Sequence, residues 1–420
     1  MIGIINRFKR MASASAIHAR RKMKPMSLPR PRIAAGSATR IDGIDLLRGT
    51  AIFLVVMNHV NMRLFLAKVP YTQGLSRQLV KSLFWDGQFG VQMFFAVSGF
   101  LITSITLRRW GSLSQVKLLG FYRLRLARIA PLLLLLLTVL SVLHFVHVHD
   151  FVVSAKTGGL GRALLAALTF HVNVLEARRG YLPGNWDILW SLSVEEMFYL
   201  FFPLACRLFG QGKLLVALLL GFVVLGPFGR TIFAHGNGTW EEYSYLGGME
   251  AIALGCLTAL IVSRFRMSPR VRWAFGLFGG ALVTFMLGFS LQAYRWGLGR
   301  LGLDMTVLAI GTCMLIAVFA ETEWRSPRIL SPLTKIGQYS YEVYLTHMFI
   351  VFALFDLFVA ADKPLRLAPV LFIVVVLIAG LLGGVVARFY SEPMNHWLRE
   401  RSRYESIGPV AAENIPGQSL

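Results

Sequence analysis

Ten stretches of this chain are each long and apolar enough to cross a lipid bilayer, and this repetition limits the fold more than any other feature of the sequence. They fall at 46–64, 88–107, 129–147, 188–208, 213–229, 246–263, 273–290, 302–320, 338–358 and 367–389. Within hydrocarbon only a helix or a closed barrel satisfies its own backbone. A run of about 20 apolar residues is helix length, not strand length. The sequence therefore predicts an all-α integral membrane protein with about ten transmembrane helices. Composition agrees: 55% of residues are hydrophobic and 15% charged, against about 25% charged in soluble domains.

An eleventh stretch, 162–175, is shorter and carries His171 and Asn173. Charge asymmetry decides whether it crosses. With ten crossings, 29 Lys/Arg fall on the side of the termini and 13 opposite, Arg48 being set aside within a span. With eleven, the Arg264–Arg272 cluster and the C-terminal arginines would face outward, against the positive-inside rule. Both termini are thus expected in the cytoplasm, with 162–175 an interfacial or re-entrant helix on the outer side. Residues 1–40 hold ten Lys/Arg and no apolar core of signal-peptide length. They read as a disordered basic cytoplasmic arm, in which Met11, Met23 and Met26 are alternative starts. The membrane domain is expected over 41–395 and a short cytoplasmic tail over 396–420. The formal charge of +22 sits mostly in short runs between apolar segments. That distribution argues for membrane orientation and against nucleic-acid binding. Cys206, Cys256 and Cys313 are scattered in apolar segments and offer neither a disulfide framework nor metal spacing.

Charged groups within a span cost several kcal/mol (about 2.5–3.5 at a helix centre), so they mark the informative positions. The first span carries Arg48 and, eleven residues on, His59 beside Asn58. That spacing is close to three turns, or about 16 Å, on one helix face. A snorkelling arginine and a packed core histidine would also fit. Arg123, Arg125 and Arg128 precede the third span, where guanidinium forks suit phosphate but also serve as ordinary anchors. The fourth span reads WDILWSLSVEEMFYLFFPL, with Asp187, Glu195 and Glu196. Adjacent helical residues diverge by about 100°, so the two glutamates are expected to face different partners. Glu342 and His347 lie in the ninth span among Tyr339, Tyr341 and Tyr344. Ser98-Gly99 reads as a close-packing pair, and Glu392-Pro393 as a helix end. Counted from the termini side, His59 and Glu195 both lie about 20 Å deep and His347 about 15 Å. One midplane cavity could hold them, with the arginines below.

At these residues the sequence resembles the acyltransferase family 3 membrane proteins, which include O-antigen, exopolysaccharide and nodulation-factor O-acetyltransferases. The matching features are the Arg48–His59 spacing, FFAVSGFLIT, FYRLRLARIAP, WSLSVEEMFYLFFP, YSYEVYLTH and the terminal SEP, in family order from residue 42 to about 393. One departure is IDGIDLLRG, where many members place the arginine sooner after the aspartate. Arg48 and His59 resemble the family's essential first-span pair, Arg123 and Arg125 its essential Arg-x-Arg pair, and Glu195 its fourth-span glutamate. The resemblance implies a multi-pass protein of the bacterial inner membrane acting on lipopolysaccharide, exopolysaccharide or another glycan. Some members carry a fused outer esterase-like domain. None is evident here, so direct transfer or a separate partner is expected.

The expected chemistry is O-acyl transfer, acetyl first, from acyl-CoA to a carbohydrate hydroxyl. Arg123, Arg125, Arg128 and Arg48 would hold the donor phosphates and His59 would act as general base. Glu195 or Glu196 would orient its imidazole, and Asn58, Tyr341 and His347 would contact substrate. A covalent acyl-histidine is a variant of this scheme. The rival from another class is a proton-coupled transporter or flippase, in which the same buried groups form a relay.

Overall fold

A computed structural model describes residues 40–322 and 324–406, with the course of the backbone alone at 401–406. The basic arm, Arg40 excepted, and the tail beyond residue 406 lie outside the described residues. Among the described residues ten helices are long and apolar enough to cross a membrane. They are α1 Asp42–Leu66, α2 Gly87–Trp110, α3 Leu118–Phe145, α4 Gly184–Phe209, α5 Lys213–Arg230, α6 Gly238–Arg264, α7 Pro269–Gly288, α8 Asp304–Glu321, α9 Ser340–Ala360 and α10 Leu365–Glu400. Each overlaps one of the ten predicted stretches.

Three boundaries differ, each for a physical reason. α3 begins at Leu118, because the arginine-rich turns read as a loop are helical. The guanidiniums of Arg125 and Arg128 reach carboxylates on other helices, so these charged turns need not leave the bundle. The stretch 162–175 forms two helices, Gly159–Leu168 and Val172–Arg179. They part at Phe170, held in the left-handed region at φ +56. The last helix does not stop at Glu392-Pro393: a π turn over Ala387–Ser391 passes into a helix over Glu392–Ser406. Pro393 then falls in a first turn, where its missing N–H costs no helical bond.

The helices sort into a core and a lipid-facing shell. The central windows of α2 and α6 are 72% and 67% buried, those of α7 and α5 only 11% and 22%. Large apolar side chains such as Leu208, Trp273, Phe278, Ile373 and Leu381 are exposed. A belt of that extent marks a lipid contact. A close seam joins α2 to α6. A Cβ at Gly99 would lie 1.9 Å from the Ile252 carbonyl oxygen, and one at Gly255 2.0 Å from that of Ala96. Only glycine permits this reciprocal approach, so Gly99 packs as the sequence suggested.

Candidate active site

α1, α2, α3, α4 and α9 carry the ionisable groups that converge inside the bundle. The chain direction of each orders them into layers between the end bearing Asp42 and the opposite end. α1, α3 and α9 run away from the Asp42 end, while α2 and α4 run back towards it.

The upper layer is a pair of histidines. His59 Nδ1 lies 3.0 Å from His347 Nε2, and His347 Nδ1 lies 2.6 Å from the Tyr344 carbonyl oxygen. A carbonyl only accepts, so His347 Nδ1 carries the hydrogen. In a neutral ring Nε2 is then an acceptor, and His59 Nδ1 must donate to it. This leaves the lone pair of His59 on Nε2, the atom a general base would use. His347 is fully buried and His59 half-buried. Tyr344 adds a link to α4, hydrogen-bonding the Ser191 hydroxyl at 2.6 Å and donating to the Ile188 carbonyl at 2.9 Å.

One turn along α4 from Ser191, Glu195 opens the second layer. It accepts from the Ser98 hydroxyl on α2 and, at 2.8 Å, from the Tyr199 hydroxyl. Arg125 stands between the two glutamates, 2.7 Å from Glu196 and 3.6 Å from Glu195. Its guanidinium also lies 3.9 Å from the Tyr199 ring centroid. The expectation that adjacent carboxylates must face different partners is thus overturned. A planar fork entering from α3 subtends both, although their own helix splays them apart. The glutamates' described partners are Arg125, Ser98 and Tyr199, and His59 takes its hydrogen bond from α9 instead.

The third layer lies nearest the Asp42 end. Arg128 meets Glu342 at 3.1 Å, and Arg48 meets Asp45 at 3.3 Å. Three of the four arginines expected at the donor phosphates are therefore paired with carboxylates. Arg123 is exposed. Arg399 adds positive charge here, within the fields of Arg109 and Arg128. The remaining predicted residues border the site. The Asn58 amide donates to the Phe84 carbonyl at 3.0 Å, anchoring the π turn before α2. The Tyr341 hydroxyl donates to the Ile129 carbonyl at 2.8 Å, with Arg128 over its ring.

Sequence reasoning passed over Asp45, Ser191 and Tyr199, and it read Ser98 as packing. A serine or tyrosine in an apolar helix carries no sign of which neighbour it will meet. It also missed a polar cluster at the far end of α4. Glu176 accepts from the Leu182 amide at 3.0 Å and feels the charge of Asp187, which accepts from Tyr243 at 3.1 Å. Burial, then the neighbouring Asp187, hold the Glu176 carboxyl well above the usual carboxylate range.

Comparison with known proteins identifies the family. A family described as an acyltransferase domain matches residues 41–389. The chain is 24% identical to an O-acetyltransferase OatA of Staphylococcus aureus (strain NCTC 8325 / PS 47), over 84% of this chain and 57% of that protein. It is 28% identical to a peptidoglycan O-acetyltransferase OatA of Listeria monocytogenes, over 73% of this chain and 49% of that protein. The chain thus spans about half the length of the curated relatives it matches. No solved structure matches it significantly.

Proposed function

Because the chain belongs to the acyltransferase family whose domain covers residues 41–389, we propose that it is a membrane-bound O-acyltransferase of the bacterial inner membrane, with both termini cytoplasmic. It moves an acyl group, acetyl first, from a coenzyme A thioester to a hydroxyl of a cell-surface or lipid-linked carbohydrate. The observation that carries this reading is the half-buried His59, its Nε2 lone pair left free by His347, above a layer of guanidiniums and carboxylates.

Acyl-CoA approaches from the cytoplasm. Exposed Arg123, with Arg109, Arg399 and the outer edges of Arg128 and Arg48, supplies positive charge for its phosphates. Pairing with Glu342 and Asp45 keeps the last two in place without a ligand. The pantetheine arm rises past Arg125 towards the histidines. His59 Nε2 then takes the proton of the acceptor hydroxyl as that oxygen attacks the thioester carbon. The C–S bond breaks, and the imidazolium returns the proton to the leaving thiolate, giving ester and free CoA. His347 is a positioning residue: its Nε2 lone pair accepts from His59 Nδ1–H, fixes the tautomer and steadies the transient charge. Arg125, Glu195 and Glu196 hold the wall of the passage beneath. Thioesters are activated, so positioning and one base suffice.

The test is transfer of labelled acetyl from acetyl-CoA to surface glycan, followed by mass spectrometry, in cells making wild type or His59→Ala. Wild type restores the acetyl increment to a deletion strain, and His59→Ala inserts normally but does not. Near-normal acetylation by a well-inserted His59→Ala would remove His59 from the mechanism.

A further inference from the structure

A cavity of about 310 Å³ lies at the end of the bundle opposite Asp42, bordered by Arg63, Asp150, Ser154, Tyr181, Gly184 and Phe352. Its place is set by the two helices that carry the histidines. Arg63 follows His59 by four residues, on the same face of α1 and about 6 Å further out. Phe352 follows His347 by five residues on α9, and the Arg63 guanidinium lies 4.7 Å from its ring centroid. The cavity therefore sits about one helical turn beyond the histidine pair, on the side away from the arginine-rich layers.

The cavity is built rather than incidental. Arg63 and Asp150 form a forked pair, with Nη1 to Oδ1 at 3.1 Å and Nη2 to Oδ2 at 2.7 Å. Asp150 reaches Arg63 because the turn after α3 bends back through His147 and Asp150, both in the left-handed region at φ +55 and +65. A β-carbon there is strained, and such strain persists only where the surroundings enforce it. On the other wall the segment 181–184 enters α4. Glu176 moors it through the Leu182 amide, and the Tyr181 ring is left 58% exposed.

This chemistry selects its ligand. The pocket is open to one side, and its volume of about 310 Å³ falls at the low end of the range of about 300–1,000 Å³ usual for small-molecule sites. Asp150 engages both terminal nitrogens of Arg63 end-on and the unpartnered Nε–H is buried, so a phosphate or carboxylate meets no exposed end-on fork. Formal charges within the pair cancel. What remains is a carboxylate edge that accepts from hydroxyls, the Ser154 hydroxyl and the flat face of Tyr181. That combination fits an uncharged pyranose, with one ring face on the tyrosine and its hydroxyls on the polar wall. We propose that this cavity seats the sugar ring that bears the hydroxyl to be acylated, so that acceptor and acyl donor reach His59 from opposite ends of the bundle. The proposal rests on the acyltransferase reading above and adds to it the location and the chemistry of the acceptor subsite.

The experiment blocks the cavity from outside. The native cysteines, Cys206, Cys256 and Cys313, are all buried. Val152→Cys, on the cavity wall, and Lys156→Cys, exposed nearby but not lining it, are made in the full chain and expressed in the deletion strain. Each is treated with a bulky membrane-impermeant maleimide, and labelling is verified by mass spectrometry. Surface O-acetyl is then compared before and after treatment. Blocking residue 152 should lower it at least about tenfold, the scale of a lost binding site. Blocking residue 156 should not, and acetyl-CoA binding to the purified blocked protein should be unchanged. Tyr181→Cys reads the same cavity from its other wall if Val152→Cys is poorly made. Full acetylation by protein verified as blocked at 152 or 181 overturns the proposal while leaving the acyltransferase reading intact. Failure of wild type to acetylate any glycan overturns that reading instead. A panel of methyl pyranosides should slow maleimide labelling of the Val152→Cys variant, and equal labelling with and without every member removes the assigned ligand class.

Discussion

Two guanidinium–carboxylate contacts inside the bundle are finished differently. Arg230 at the end of α5 meets Glu250 of α6 at 2.5 Å, with side chains 9% and 0% exposed. All three of its nitrogens have further partners: the carbonyls of Gly302 and Gly247 and the Thr306 hydroxyl. Arg125 is 23% exposed and Glu195 25%, and the buried Nε of Arg125 has no hydrogen-bond partner. The first contact is shut off from solvent, although the Glu250 carboxylate has no hydrogen-bond partner, and it ties α5 and α6 to the start of α8. The second keeps an unpartnered donor and partial exposure. In lipid a charge must be neutralised wherever it sits, so an ion pair alone does not mark a site; the difference in exposure between these two is what variants of each can probe.

Four measurements test that contrast, from the largest expected effect to the smallest. If the open layer serves chemistry, removing the base above it must cost rate and not fold. His59→Ala should lower acyl transfer by up to about 10⁴-fold, the upper range for a general base, with an unchanged melting curve in detergent. The sealed pair should behave in the opposite way. Glu250→Ala leaves Arg230 buried beside an empty partner and should destabilise the protein by about 3–5 kcal/mol. A normal melting curve for that variant would break the comparison. Glu196→Gln keeps the shape but loses the charge facing Arg125, so transfer should fall by roughly 1.5–3 kcal/mol of barrier while melting moves little. Ser98→Ala removes one hydroxyl from Glu195 and should cost only about 1 kcal/mol, read as a rate change under tenfold.

A pH measurement sharpens the picture at the far end of α4. The Glu176 carboxyl titrates well above its unfolded value, for which burial is the main cause. Folding therefore takes up a proton there. Its stabilising effect is complete below the unfolded carboxylate pKa and is lost as pH rises towards the folded value. Glu176→Gln retains an oxygen for the Leu182 amide and should flatten that part of the stability–pH curve, measured by thermal unfolding.

Much of the fold was legible because bilayer thickness sets helix length and apolar runs have no other use for that length. The boundaries failed where charge or proline interrupts a run. FYRLRLARIA reads as a loop until Arg125 and Arg128 are given Glu196 and Glu342, and Glu392-Pro393 reads as a stop until a π turn absorbs the proline. The candidate site was legible as a list of residues out of place in lipid, since His59, His347, Glu195, Glu196 and the arginines are costly there unless employed. The pairings were not. Sequence spacing gives depth along a helix, and it set His59, Glu195 and His347 at similar depths. It gives no rotation of one helix against another.

The sequence by itself thus determined ten apolar helices, the charge bias between their ends and the identity of the buried ionisable groups, because each follows from the cost of polarity in hydrocarbon along one chain. Only the tertiary structure decided that His59 meets His347 rather than a carboxylate, that one guanidinium spans two neighbouring glutamates, and that a polar cavity stands above them. Those contacts join helices far apart in sequence, and their geometry comes from side-chain packing between helix faces, for which a one-dimensional pattern holds no coordinate.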